Sequence, residues 1–380
     1  MKKTAVNQKK AGLLTFAWID NPGSVFQAYA LKKVFEQNGL DVLVINYQNT
    51  IWGGYRLIPG VDTFCKSVKW TPRQIARWLK LSYRNNVKMR EYKAFQKKYL
   101  KIQHPVTLPK DLGMQLSDTD ALIVGSDQIW NYDLPLVDDC YFGCFPNAPS
   151  KKYAYAASFG KDKIDEDKAA HVSGLLNDFR MISVREKSGQ AIAGKLTNKS
   201  VSSLIDPTLL LTSDAWQDME IVPRESGYIF VYLREQSEQI SSVAKKIAAK
   251  QGLQIVSVLR GKLVGHEEKI IGPREWLGYI HHADMVFTNS FHGICFSVIF
   301  HKNFHVFSLE KDEWRKSSNT RLNSILELLG LQSTLVRIDD TVNNIPELTE
   351  ISYDEADRIL DQERSKAISY IKEIVEDIYG

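Results

Sequence analysis

Short apolar runs alternate with amphipathic segments along most of the chain, beginning at Gly12. The runs typical of strands lie at 12–17, 41–47, 121–125, 152–158, 180–184, 201–206, 227–233, 253–259, 284–289 and 303–308. Between them, apolar residues recur at helical spacing, as in the segment from Ser24 to Asn38, which Gly39 ends. Strands that alternate with helices predict parallel α/β structure.

The strands form two series, separated by an irregular region that follows Pro207. This division predicts two Rossmann-like domains, residues 1–218 and 219–380, with a helical insertion at about 60–110 in the first. Apolar positions between Tyr353 and Ile378 predict a long C-terminal helix, assigned to the second domain. Folds of this class bind ligands at the carboxyl ends of their strands and between domains.

The composition limits the class of protein. The chain has 380 residues, 44% hydrophobic and 25% charged, which is typical of a globular protein and excludes collagen-like and disordered chains. It contains no apolar run of about 18 residues, so no transmembrane helix is expected. Four cysteines are too few for a disulfide framework and favour reduced thiols in the cytoplasm. No metal is expected, because Cys140 and Cys144 have neither a second pair nor a nearby histidine.

The formal net charge of +4 conceals one strongly basic segment. Residues 66–110 contain thirteen lysines or arginines, and Glu91 is their only acid. Trp70 and Trp78 lie among the cations, which resembles an amphipathic surface helix, and each cation near anionic lipid contributes about 1 kcal/mol. A helical insertion packed on the first domain explains the segment equally well. No nucleic-acid-binding motif accompanies the charge, so no nucleic acid partner is expected.

The loop after the first strand is the first place for a binding site. Residues 21–27 combine a turn with a helix start, whose free N–H groups suit an anion or a sugar hydroxyl. Gly23, Ser24 and Gln27 are the candidate ligands there. A purely structural turn fits the same residues.

A second polar loop, residues 125–131, follows the buried strand at 121–125. Asp127, Gln128 and Asn131 can bond hydroxyl groups, and Trp130 can offer a flat face to a sugar ring. The alternative is a well-ordered turn with an exposed tryptophan.

A third candidate follows the strand at 284–289. Asn289 and Ser290 precede a predicted helix, with Ser290 as its N-cap, and His292 falls in its first turn. Free amides and the helix dipole there favour an anion beside a titratable imidazole. A structural histidine is the alternative, and no HExxH spacing accompanies it.

Two arginines complete the set of candidates. Arg185 and Arg321 fall at or just past predicted helix starts, and each can fork onto a phosphate or carboxylate. Each also suits a surface salt bridge.

Several of these segments, in this order, resemble the polysaccharide pyruvyl transferase family. They are NPGSVFQAYAL, VINY, ALIVGSDQIWN, YAASFG, SVREKSG, IDPTLLL, FTNSFHGICFSVIF and NTRLNSILELLGL, and they extend from about Gly12 to Leu331. The resemblance implies a GT-B-like pair of domains with the active site between them. It also implies phosphoenolpyruvate as co-substrate, without another cofactor, and a hexose of a bacterial glycan as acceptor.

The resemblance also implies roles for individual residues. His292 matches the family's acid/base histidine, and Arg185 matches its donor-binding arginine. Some members carry an arginine shortly before the histidine, whereas here Ser290 and Phe291 stand there, so Arg321 is the candidate for the second cation. For the reaction that the resemblance implies, the carboxylate of Asp127 is our own candidate to accept a proton from the acceptor hydroxyl. The remaining expected contacts are Asn289 and Ser290 for the donor and Gly23, Ser24, Gln27, Gln128, Trp130 and Asn131 for the acceptor.

Two other functions stay open at this point: a GT-B-like glycosyltransferase with a nucleotide-sugar donor, and a non-enzymatic glycan-binding protein. The acceptor sugar, the ketal linkage and the oligomeric state are also open. The expected location is the cytoplasm, with contact at the inner membrane face if the acceptor is lipid-linked.

Overall fold

The computed structural model describes residues 8–49, 72–234, 238–258, 269–308, 313–337 and 350–380. Residues 50–71, which include the first part of the predicted basic insertion, lie outside these ranges. The described residues form two parallel sheets with helices on their faces.

The first sheet contains strands from the N-terminal half of the chain. Its described strands are β1 (Lys10–Leu14), β2 (Asp41–Val44), β3 (Ala121–Val124), β4 (Lys152–Ala157), β5 (Met181–Val184) and β6 (Val201–Ser203). They are all parallel, in the order β2-β1-β3-β4-β5-β6. Every residue of β3 is buried, as expected for a strand covered by helices on both faces.

The second sheet contains β7 (Tyr228–Tyr232), β8 (Gln254–Val258), β9 (Met285–Thr288), β10 (Asn303–Ser308) and β11 (Leu335–Arg337). They are also parallel, in the order β11-β10-β9-β7-β8. The short edge strand β11 was not among the predicted strands. The two sheets confirm the predicted α/β class, with two Rossmann-like domains in a GT-B-like arrangement.

The described helices connect these strands. They are α1 (Pro22–Gln37), α2 (Pro72–Phe95), α3 (Pro109–Gln115), α4 (Glu166–Asn177), α5 (Lys187–Leu196), α6 (Ser213–Gln217), α7 (Glu238–Gln251), α8 (Pro273–His281), α9 (Phe291–Ile299), α10 (Glu313–Leu328) and α11 (Asp354–Tyr379). None of them is both long enough and apolar enough to cross a membrane.

Two helix starts differ from the prediction. Helix α1 begins at Pro22 rather than at Ser24, because the Asn21 side chain caps it by accepting a hydrogen bond from Gly23 N at 2.9 Å. Helix α10 begins at Glu313, which places Arg321 in its middle and not at its start.

The C-terminal helix α11 crosses from one domain to the other. Near its start, Tyr353 Oη donates to Lys302 O at 2.6 Å, within the second domain. Near its end, Asp377 accepts hydrogen bonds from two residues beside the first sheet. Lys151 Nζ donates to Asp377 O at 2.6 Å, and Arg180 Nη2 donates to Asp377 Oδ1 at 2.5 Å. The predicted assignment of the whole helix to the second domain therefore needs correction, since its apolar face joins the core of both.

The described part of the basic segment packs on the first domain. Helix α2 continues into a π-helical turn at Gln96–Leu100, and Tyr92 and Phe95 are buried. Lys88 Nζ donates to Asp20 O at 2.7 Å, next to the start of α1. The alternative of a packed helical insertion thus holds for this part, although most of its cations from Arg90 to Lys110 face solvent.

An aromatic cluster joins the domains behind the start of α1. Phe26 contacts Trp216 and Phe296, with ring centroids 5.3 and 5.2 Å apart, and Trp276 lies 5.2 Å from Phe296. Phe26 belongs to the first domain, whereas Trp276 and Phe296 belong to α8 and α9 of the second. Their contact packs the N-terminal half of α1 against α8 and α9.

Candidate active site

The predicted loops meet where the carboxyl ends of the strands in the two sheets face each other. One close approach joins Gly23 in α1 to His292 in α9. A Cβ atom on Gly23 would lie 2.0 Å from His292 Nδ1, so only glycine permits this contact. The two predicted loops therefore belong to one site between the domains.

Gln27 stabilises the loop after β3 through hydrogen bonds, and its side chain does not face the cleft. Its side chain is fully buried, its Nε2 donates to Thr15 Oγ1 at 2.8 Å, and its Oε1 accepts from Ser126 N at 3.1 Å. These bonds occupy both ends of the amide. The predicted acceptor contact is therefore corrected to a structural link between α1 and the loop after β3.

Asp127 and Ser24 lie together at the cleft. Asp127 has a left-handed backbone with φ of 71°, and its Oδ1 accepts from Gln128 N at 2.9 Å. Its Oδ2 accepts from Ser24 Oγ at 3.2 Å, which connects the loop after β3 to the first turn of α1. Asp127 is half-buried, so its carboxylate is held but accessible.

Trp130 does not offer a face to a sugar. The residue is 1% exposed, and its ring stacks on Phe142 with an interplanar angle of 8° and a centroid distance of 5.1 Å. Its Nε1 donates to Tyr141 O at 3.2 Å. The predicted stacking role is wrong, because the 3₁₀ turn that follows in the sequence covers the indole.

Gln128 and Asn131 form a pair above Gly160. Asn131 Nδ2 donates to Gln128 Oε1 at 3.0 Å, while Asn131 Oδ1 accepts from Asp133 N at 3.1 Å. A Cβ on Gly160 would lie 2.4 Å from Gln128 Oε1. Gln128 is half-buried and Asn131 is 6% exposed, so Gln128 is the more accessible of the two.

Arg185 is held on three sides at the end of β5. Its Nε donates to Glu186 Oε1 and its Nη1 donates to Asp206 Oδ2, both at 2.9 Å. The guanidinium lies 4.3 Å from the ring centroid of Phe291, a cation–π contact from the second domain. Burial favours the neutral form, but the two carboxylates outweigh it and raise the Arg185 pKa.

Asp206 is the functional residue that sequence reasoning missed. Its side chain is fully buried after β6, and its Oδ1 accepts from Thr208 N at 3.0 Å and from Thr208 Oγ1 at 2.8 Å. Its Oδ2 lies 3.6 Å from His292 Nε2, longer than a hydrogen bond but within ion-pair range. Burial opposes ionisation, yet His292 and Arg185 hold the Asp206 pKa well below its usual range.

A sequence signal for Asp206 does exist. The segment IDPT places an acid three residues after β6, and β6 is the neighbour of β5, which Arg185 and Glu186 follow. Glu186 was also missed; its Oε1 accepts from Ser158 Oγ at 2.9 Å as well as from Arg185.

Arg321 is buried near the other cations. Burial, followed by the charges of Arg185 and Arg234, lowers its pKa from 12.5 to about 10, so it stays protonated at neutral pH. Its position in the middle of α10 aims the guanidinium inward at 7% exposure. This burial excludes the surface salt bridge that was the alternative.

Three buried nitrogen atoms of these cationic or basic side chains have no hydrogen-bond partner within the described residues. They are Arg185 Nη2, His292 Nε2 and Arg321 Nε. Buried donors are almost always paired, so a cluster of unpaired ones indicates a site for an anion.

The start of α9 adds backbone donors to this site. Ser290 is the N-cap residue, but its side chain makes no cap hydrogen bond, and Asn289 Oδ1 accepts from Arg234 N at 2.7 Å. Free amides and the positive end of the helix dipole therefore remain beside His292.

With this geometry in hand, comparison with known proteins identifies the family. The model for the polysaccharide pyruvyl transferase family matches residues 21–311. The chain belongs to this family. The match confirms the resemblance and makes the protein a transferase. No functionally curated protein matches the chain at the sequence level.

The solved structures that align with this chain over most of its length share little sequence with it. A Listeria monocytogenes protein assigned as a UDP-N-acetylglucosamine 2-epimerase has 10% identity and a TM-score of 0.46, covering 94% of this chain and 96% of its own. Heptosyltransferase WaaC of E. coli has 11% identity and a TM-score of 0.38, covering 93% of this chain and 99% of its own. At this level the likeness says nothing about the reaction.

Proposed function

We propose that this transferase moves the enolpyruvyl group of phosphoenolpyruvate onto two hydroxyls of one hexose in a bacterial glycan, which forms a pyruvate ketal and releases phosphate. The observation that carries the proposal is the cluster of unpaired donors on Arg185, His292 and Arg321. Phosphoenolpyruvate carries a phosphate and a carboxylate close together, which matches a site with two buried guanidinium groups beside a histidine.

Arg185 and Arg321 are proposed to hold the two anionic groups of the donor. Arg185 is already fixed by Glu186, Asp206 and Phe291, so its free Nη2 is oriented before the donor binds. The guanidinium of Arg321, whose pKa burial lowers, gains an opposite charge when an anion enters. Negative charge that develops on departing phosphate then meets fixed donors.

His292 is proposed to supply the proton to C3 of the donor. Protonation of C3 gives C2 oxocarbenium character, and the first sugar hydroxyl bonds to C2 as its own proton leaves. The second hydroxyl then bonds to C2 as the C2–O bond to phosphate breaks, and its proton is lost to a base. Asp206, with Oδ2 3.6 Å from His292 Nε2, is proposed to orient the imidazole for this transfer.

Asp127 is proposed to receive the proton of the acceptor hydroxyl. Its half-buried carboxylate lies at the cleft and is held by Ser24 Oγ. Gln128 is the accessible polar side chain beside it and is proposed to orient the sugar, whereas Ser24 is 5% exposed and holds Asp127. Burial removes Trp130 and Gln27 from this set.

The acceptor is proposed to be met at the surface of a membrane. Helix α2 and the following residues present exposed cations at Arg90, Lys93, Lys97, Lys98 and Lys101, and Lys88 connects this helix to the loop before α1. Such a surface suits anionic lipid next to a lipid-linked acceptor. Flotation with phosphatidylserine vesicles tests this: salt-sensitive binding supports it, and equal behaviour with neutral vesicles contradicts it.

A product assay tests the reaction itself. The purified protein is incubated with phosphoenolpyruvate and a panel of hexosides, and phosphate release is measured beside the ketal methyl signal by NMR. The proposal expects both products in equal amounts with at least one hexoside. The same panel is then tested with a nucleotide sugar as donor. If the protein consumes the nucleotide sugar and releases no phosphate from phosphoenolpyruvate, the glycosyltransferase alternative is established instead.

A further inference from the structure

A second group of potential ligands lies outside the set of cleft residues, at the end of α8. His281 is the last residue of this helix, His282 is its C-cap, and Glu220 belongs to the segment that connects the two domains. Glu220 Oε2 lies 2.8 Å from His281 Nδ1, and Glu220 Oε1 lies 3.0 Å from His282 Nε2. One carboxylate therefore faces two adjacent imidazoles.

Packing brings the connecting segment to this place. Ile221 N donates to Arg274 O at 3.0 Å, and Arg274 Nε donates to Met219 O at 2.7 Å, on either side of Glu220. A Cβ on Gly278 would lie 1.9 Å from Ile221 O, so a glycine in α8 allows the close approach. The arrangement is thus fixed by the backbone as well as by the three side chains.

The set has the chemistry and the size of a site for a transition metal. We propose that Glu220, His281 and His282 bind a divalent transition metal ion such as Zn²⁺, with water as the fourth ligand. One ligand atom from each residue lies within 4.8 Å of the others. A tetrahedral zinc ion with bonds of about 2.0–2.1 Å needs its ligands roughly 3.4 Å apart, so small side-chain rotations suffice.

Exposure and neighbouring groups favour such an ion. The Glu220 side chain is 8% exposed and that of His282 is 37% exposed, so the fourth position faces solvent. The His281 ring stacks on Phe300 with centroids 4.5 Å apart, which restrains the imidazole. The ion would tie the connecting segment to α8 and so fix the start of the second domain.

The competing arrangement is a pair of hydrogen bonds from the two imidazoles to Glu220, without a metal. Calorimetric titration of Zn²⁺ into the chelator-treated full chain distinguishes the two. We expect the wild type to bind one more equivalent of Zn²⁺ than His282→Ala or Glu220→Gln. We also expect Zn²⁺ to raise the melting temperature of the wild type. His301→Ala is the matched control, because His301 is also exposed and also faces a carboxylate, Asp357, at 3.0 Å.

The control variant should retain the full wild-type stoichiometry. Melting without metal shows whether the variants fold, and Co²⁺ absorption separates ligands of nitrogen and oxygen from cysteine sulfur. Equal zinc stoichiometry in wild type and His282→Ala, or a cobalt spectrum dominated by thiolate bands, would overturn the proposal. Absence of micromolar zinc binding to the wild type would overturn it as well.

Discussion

The two walls of the cleft are built in different ways. On the first wall, Arg185, Glu186 and Asp206 satisfy most of one another's charges, and each is bonded to rigid strand ends. On the second wall, His292 and Arg321 carry buried nitrogen atoms without partners among the described residues. The first wall therefore holds its one unpaired nitrogen, Arg185 Nη2, in a preorganised guanidinium, whereas the second wall has two buried nitrogen atoms without hydrogen-bond partners, on His292 and Arg321.

This difference assigns separate tasks to the two walls. A preorganised guanidinium orients a ligand at little entropic cost, and unpaired buried donors gain most when an anion arrives. In the free protein those unpaired donors lower the free energy of unfolding. This is an example of the known trade-off between stability and function. Variants of each wall should therefore change activity and stability in different proportions.

The largest effect is expected on the second wall, from His292→Gln. Without a titratable imidazole, no group delivers the proton to C3, so kcat should fall about 10³-fold while the melting temperature changes little. Phosphate release with the acceptor found by the product assay measures kcat. His301→Gln, an exposed histidine, is the control and should keep wild-type kcat. Equal kcat in the His292 variant would remove this residue from the chemistry.

Arg185→Lys tests the first wall. A lysine keeps the charge but cannot contact Glu186, Asp206 and the donor together, so kcat/KM for phosphoenolpyruvate should fall about 10²-fold. The loss of paired carboxylates should also lower the melting temperature. Arg180→Lys is the control, since Arg180 pairs with Asp377 at the surface of the same sheet. An unchanged kcat/KM for phosphoenolpyruvate in Arg185→Lys would contradict the assigned role.

Arg321→Met should separate binding from stability. The pKa of Arg321 is lowered because its charge is buried, and replacing it with an apolar group removes the free-energy cost of burying that charge. We expect roughly tenfold weaker binding of phosphoenolpyruvate together with a higher melting temperature of the free protein. Calorimetry measures the affinity for phosphoenolpyruvate, and thermal melting measures the stability of the free protein. Weaker binding with a lower melting temperature would show that Arg321 is mainly structural.

Gly23→Ala tests the contact between the walls. The added Cβ would meet His292 Nδ1 at 2.0 Å, so the imidazole must move and kcat should fall about tenfold. Gly194→Ala in α5 is the control, because a Cβ there meets nothing within 4 Å. If both variants keep full activity, the two helix starts do not need to touch.

The smallest effect concerns His305, a buried histidine of the second domain that the cleft does not use. Burial lowers its pKa from 6.5 to about 4. Between pH 6.5 and 4 the imidazole is therefore protonated in the unfolded chain but not in the folded chain. The free energy of unfolding falls by up to about 3 kcal/mol as the pH drops through this range. His305→Phe should flatten urea midpoints over this range and leave activity at pH 7.5 unchanged. A midpoint slope equal to wild type would contradict it.

Alternation of apolar runs predicted the architecture well, because a parallel sheet covered on both faces requires continuous apolar strands. It did not reveal β11, which has three residues at a sheet edge. It also could not show that α11 ends on the first sheet, since only the contacts of Asp377 decide where the helix docks.

The candidate site was predicted in part, and the reason is physical. Loops at strand ends can be located from sequence, so His292, Arg185 and Asp127 were found. Whether a loop side chain turns inward depends on contacts distant in sequence, as Phe142 covering Trp130 shows. Asp206 was missed because its importance comes from two cations on other elements.

The central claim is that the unpaired donors of the cleft bind phosphoenolpyruvate. Calorimetric titration of phosphoenolpyruvate and, separately, of UDP into the full chain tests this claim most directly. We predict saturable binding of phosphoenolpyruvate that weakens about tenfold or more in Arg185→Lys and in Arg321→Met, with no heat from UDP. Binding of UDP without binding of phosphoenolpyruvate would contradict the account.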